Sequence, residues 1–139
     1  MMTEVGSPAR GQVRELSIGY EEALARLPEA LKKEGFGVIT QIDMQETLKA
    51  KLGVDFRRYR ILGACNPSFA HAALLRDPTV GLLLPCNLVL YERDDGKAVL
   101  GAVDPMQTLG AGAGRDPSLG EIAGEVGRRL ARVLDDLAS

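Results

Sequence analysis

The sequence predicts an α+β fold: a two-layer sandwich with a largely antiparallel sheet and the first and last helices packed on one face. Three observations carry this. Strand-like stretches alternate apolar and polar residues, unlike the solid apolar runs of a doubly wound parallel sheet. Helical patterns separate them in the order β-α-β-(short α)-β-α-β-β-α. A chain of 139 residues, 45% hydrophobic and 26% charged, suits one domain that buries a core without disulfide or metal staples.

Residues 1–11 contain Gly6, Ser7 and Pro8 and show no periodicity, so they read as a flexible terminus ahead of a domain over 12–139. Val13–Ile18 alternates as the first strand. Leu24, Leu27 and Leu31 recur at helical spacing between Gly19 and Gly35, with Pro28 expected to bend the helix near Leu24–Leu27. Phe36, Val38, Thr40, Ile42 and Met44 mark a second strand. Asp43 and Glu46 form a capping box for a short helix whose apolar face is Leu48 and Leu52, ending at Gly53. Tyr59 to Cys65 is the third strand. Asn66-Pro67 then places an N-cap before a proline at the first helical position. Val80 to Glu92 reads as a long fourth strand, with Pro85 at a bulge, an edge or the strand entrance. Asp94-Asp95-Gly96 turns the chain into a fifth strand, Lys97–Asp104. A glycine-rich loop follows. Ser118 and Glu121 suggest a capping box for the last helix, whose stripe runs through Leu119, Ile122, Val126, Leu130, Val133, Leu134 and Leu137.

Several function classes are disfavoured at once. No apolar run approaches the ~20 residues of a membrane helix. The net charge of −2 offers no basic field for nucleic acid. Lys49, Lys51, Arg57, Arg58 and Arg60, interleaved with Phe56 and Tyr59, read as a solvated basic face. Gly110, Gly112 and Gly114 fit neither phosphate-loop fingerprint and read as a flexible loop. Gly120, Gly124 and Gly127 on the last helix suggest close packing against the sheet or a second subunit. Two cysteines without a secretion signal suggest reduced thiols in a cytoplasm.

The candidate site is a double motif, Cys65-Asn66-Pro67 and Pro85-Cys86-Asn87. Antiparallel neighbouring strands bring both cysteines to one end of the sheet. The fifth strand returns there at Asp104, and His71 lies one turn into the helix that starts beside Cys65. Cys65, Asn66, His71, Cys86, Asn87 and Asp104 are therefore the candidate binding residues. A thiol near a helix N-terminus with a histidine base suits nucleophilic or redox chemistry. Two cysteines, a histidine and an aspartate suit zinc. Packed cysteines are the plainer alternative, and the sequence does not identify a cofactor.

At these residues the sequence resembles the family called domain of unknown function 302. Glu34 to Val38, Ile42-Asp43, Tyr59 to Pro67, Leu82 to Asn87, Asp94-Gly96 and Asp104 to Met106 carry the resemblance, from about Val13 to Leu137. It implies a two-layer fold similar to one repeat of the TATA-binding protein, and a dimer. It implies no activity, and fold likeness alone does not imply DNA binding. The expectation is a cytoplasmic, non-enzymatic homodimer that binds a small ligand or a partner protein at the Cys65/Cys86 end. The alternatives are a thiol-dependent enzyme or redox protein, or a metal-binding protein, using the same cysteines with His71. A dimer is also expected because two long helices leave much of a five-stranded sheet uncovered.

Overall fold

A computed structural model describes residues 11–112 and 116–139. Strands β1 (Gly11–Gly19), β2 (Gly37–Asp43), β3 (Tyr59–Cys65), β4 (Cys86–Glu92) and β5 (Lys97–Val103) form one sheet in the order β1-β5-β4-β3-β2. All four pairings are antiparallel. The expected flexible terminus lies outside the described residues, except for Gly11, which already belongs to β1.

Helices α1 (Tyr20–Lys33) and α4 (Pro117–Ala138) cover one face of this sheet. Leu62, Leu88, Leu90 and Leu100 from the strands meet Leu27 and Leu31 of α1 and Leu130, Leu134 and Leu137 of α4, all essentially inaccessible to water. The predicted α4 stripe enters this core from Val126 to Leu137, with Ile122 at its margin and Leu119 in a second, smaller cluster. Burying each such side chain contributes about 1.5–3 kcal/mol. Helix α1 continues through Pro28 to Lys33, although that proline has no N–H to donate.

The remaining elements correct the sequence reading in instructive ways. Asp43 caps α2 (Met44–Leu52) as expected, accepting from the Glu46 N–H at 3.0 Å. Yet α2 buries no residue, and Leu52 is largely exposed. The expected long fourth strand is shorter: Pro78–Leu83 is a 3₁₀ turn, and β4 begins only at Cys86. Pro85, after a cis peptide bond, sits at the strand entrance. The N-cap of α4 is Asp116, two residues before Ser118; its carboxylate accepts from the Ser118 N–H at 3.0 Å, with Pro117 in the first turn. The loop after β5 contains 3₁₀ turns at Pro105–Gln107 and Leu109–Gly112, and Gly114 lies outside the described residues.

Helix α3 (Pro67–Arg76), these turns and the start of α4 build a satellite core of Ala73, Val80, Leu109, Leu119 and Ala123. It adjoins the main core through Ile122, and the cavity described next lies where the two meet. Among the described residues, no helix is long and apolar enough to cross a membrane.

Candidate functional site

Cys65 closes β3 and Cys86 opens β4. Ala64, beside Cys65, pairs directly with Cys86, so the two thiols share one end of the sheet. Both are free and half-buried. They line a cavity of about 320 Å³. Its floor is Phe36 and Ala64; Phe69, Ala70, Ala73 and Leu74 of α3 form one wall, and Ile122 and Val126 of α4 another. Gly81, Leu84 and Pro85 close it on the side of the 3₁₀ turn.

Asn66 is the one lining residue with an amide side chain. Its Oδ1 caps α3, accepting from the Phe69 N–H at 3.3 Å. Its Nδ2 lies on the side of Gly35. Gly35 makes room for that amide. It follows α1 with φ +86°, and a Cβ there would lie 2.8 Å from Asn66 Nδ2. Beside it, the Arg129 guanidinium lies 5.1 Å over the Phe69 ring and donates to Glu125 Oε2 at 2.9 Å and to the Glu34 carbonyl at 3.1 Å. That contact fixes the aromatic wall from outside.

Burial pushes the Cys86 thiol up to about 11, and the proximity of Cys65 adds to the effect. Burial therefore favours the neutral, less nucleophilic form of Cys86.

The other sequence candidates stand apart from the cavity. His71 is exposed on α3 and does not line it. Asn87 is exposed and follows Cys86 in β4, so strand alternation puts it on the opposite face. Asp104 caps the 3₁₀ turn after β5, accepting from the Met106 N–H at 2.9 Å. The anticipated convergence of six residues thus reduces to Cys65, Asn66 and Cys86. Among the described residues, no group of three or more His, Cys, Asp or Glu is placed to hold a metal ion.

Four of the five basic residues of the stretch pair locally. Arg57 pairs with Asp94, Arg58 with Glu21 and Glu92, Arg60 with Asp43, and Lys49 with Asp55. Ion pairs of this kind leave little positive field for an anionic polymer.

Sequence reasoning missed most of the cavity wall. Phe36, Ile39, Leu84, Leu109, Ile122 and Val126 are apolar residues with nothing in their spacing to separate a cavity lining from a packed core. Ile39 had a further disguise. A register shift between Val38 and Thr40 places a bulge there, so Val38 packs toward the core while Ile39 reaches the cavity mouth.

The model for the domain of unknown function DUF302 matches residues 12–137. The chain belongs to this family. A DUF302 structure, the crystal structure of an uncharacterised conserved protein from Bacillus stearothermophilus, superposes with a TM-score of 0.81 at 39% identity. The match covers 91% of this chain and 96% of that one. No curated protein matches. DUF302 membership confirms the sequence resemblance over nearly the whole chain and brings no activity with it.

Proposed function

We propose that this DUF302 protein binds a small, predominantly apolar molecule in the Cys65/Cys86 cavity, and that its role is recognition rather than catalysis. The observation that carries this reading is a space of about 320 Å³ walled by apolar side chains, with Asn66 the one lining residue that carries an amide. Small-molecule sites have this character: apolar walls set affinity, and a few polar groups set orientation. The volume lies at the lower end of the ~300–1,000 Å³ typical of such sites. The ligand in this reading is a compact hydrocarbon group bearing one acceptor, such as a carbonyl, directed to Asn66. The two sulfurs offer soft, polarizable contacts.

Thiol catalysis has less support. Cys86 is held protonated, and no lining residue carries a side chain that could serve as its base. The proposal includes a reducing, cytoplasmic setting, supported by two free thiols sharing one cavity. It also includes a homodimer.

The test is native mass spectrometry of freshly purified protein beside Ala70→Phe, which fills the cavity from α3. The expected result is a satellite species carrying a small molecule in the wild type, lost in Ala70→Phe. Equal occupancy in the variant would refute the site.

A further inference from the structure

The cavity has a polar edge, and that edge carries positive charge. Two nitrogens converge on the space that a Cβ at Gly35 would fill: Asn66 Nδ2 at 2.8 Å and Arg129 Nη1 at 3.5 Å. The cap bond at Asn66 Oδ1 orients the amide, so Nδ2 faces Gly35. Asn66 and Phe69 line the cavity, and the Arg129 guanidinium lies 5.1 Å over the Phe69 ring. Phe36, next to Gly35, lines it too, as does Val126, about one helical turn before Arg129 on α4. Arg129 donates from Nε to Glu125 Oε2 at 2.9 Å and from Nη1 to the Glu34 carbonyl at 3.1 Å. Those bonds use two of the roughly five N–H donors that a guanidinium carries.

We propose that the ligand of this cavity is an aliphatic carboxylic acid, its tail in the apolar space and its carboxylate at Asn66 and Arg129. The inference rests on the reading of the cavity as a ligand site, and adds the charge of the head group. A carboxylate has two oxygens that accept from several donors at once, and the planar guanidinium fork matches them. The cavity of about 320 Å³ is roughly twice the ~150 Å³ that holds one benzene, which leaves room for a tail of about eight to ten carbons.

Charge at this edge selects an anion. Arg128 and Arg129 pair with Glu125, and Arg132 pairs with Glu34, so three arginines face two glutamates. Helix α3 starts at the same edge, and a helix N-terminus adds partial positive charge. Among the described residues, no carboxylate side chain lines the cavity. An ammonium head would meet a guanidinium of its own sign. A neutral amide head would gain only neutral hydrogen bonds, which are the weaker kind.

The test is calorimetric titration at neutral pH with octanoate, octanamide and octylamine, on the wild type, Arg129→Gln, Asn66→Asp and Ala70→Phe. The Arg129 side chain is 32% exposed, so glutamine is accommodated there. Aspartate at position 66 keeps an N-cap for α3 while placing a negative charge at the edge. Far-UV circular dichroism checks folding. Octanoate is expected to bind the wild type about tenfold more tightly than octanamide, the margin of a charged over a neutral hydrogen bond, and octylamine most weakly. Arg129→Gln should weaken octanoate about tenfold and leave octanamide within about twofold. Asn66→Asp should weaken octanoate more than octanamide. Octanamide binding as tightly as octanoate, or an octanoate affinity unmoved by both edge variants, overturns the proposal; the cavity reading then survives if octanamide still binds the wild type and is lost in Ala70→Phe. If no probe binds the folded wild type, or Ala70→Phe binds all three as the wild type does, the cavity reading fails and the proposal falls with it. Asn66→Asp keeps the test decisive if Arg129→Gln does not fold.

Discussion

Cys86 and Gly63 lie on neighbouring strands, and what surrounds each decides its tolerance. Burial holds the Cys86 proton, with the thiol pushed up to about 11 from an ordinary 9.0. A raised value means the fold favours the neutral form. That stabilisation is complete below the ordinary value and is lost as pH rises from about 9 through about 11. Site-resolved alkylation by iodoacetamide is expected to leave Cys86 nearly unlabelled at pH 7 and to accelerate steeply above pH 9; rapid labelling at neutral pH would contradict its burial. Gly63 is different because its constraint is steric. A Cβ there would sit 2.1 Å from Thr40 Oγ1 and 2.5 Å from Pro85 Cγ. Gly63→Ala should therefore cost about 1–3 kcal/mol in urea unfolding. Gly124 of α4 meets only the flexible Arg128 guanidinium, at 3.5 Å. Gly124→Ala should instead stabilise by roughly 0.5–1 kcal/mol, because close packing does not explain that glycine.

At the scale of elements, the ends of helices and strands were less legible than their existence. The β3 and β5 strands, the α4 stripe and the caps at Asp43 and Asn66 were all visible in the sequence, because each depends on neighbours in the chain. The α4 start was misplaced because Asp116 and Ser118 both suit an N-cap, and only the fold shows which carboxylate or hydroxyl faces the free amides. Asp116→Ala is therefore expected to lower the melting temperature by a few degrees, and Ser118→Ala by less; the reverse order would restore Ser118 as the cap. β4 was overlong because Val80 to Leu84 is apolar enough for a strand yet forms a 3₁₀ turn packed on the satellite core. Arg58 joins α1 to β4 through Glu21 and Glu92, and its hydrogen bond holds the Glu92 carboxyl below the ordinary range. A depressed carboxyl stabilises the fold above its ordinary value and loses that contribution as pH falls. Unfolding midpoints measured across the acid range should decline less steeply for Arg58→Met than for the wild type, whereas parallel curves would deny the pair any role.

At the scale of the whole molecule, topology follows from element order, and so the sheet end shared by Cys65 and Cys86 was readable in advance. The cavity was not. It is built by apolar residues from β2, α3, the 3₁₀ turns and α4, which converge only after folding, and a packed core would use the same residue types. His71 was drawn into the site by its place one turn into α3 and Asp104 by the return of the fifth strand, but α3 turns His71 to solvent and Asp104 serves a local turn. The account rests most on the cavity as a ligand site. Its most direct test is a two-dimensional ¹H–¹⁵N titration with straight-chain amides of four to eight carbons, which combine an apolar tail with an acceptor. Saturable shifts confined to Cys65, Asn66, Phe69, Ala73, Leu84 and Ile122, strengthening with chain length until the cavity is full and abolished by Ala70→Phe, are the predicted result. Shifts that never saturate for any chain length, or that map to another surface, would contradict it.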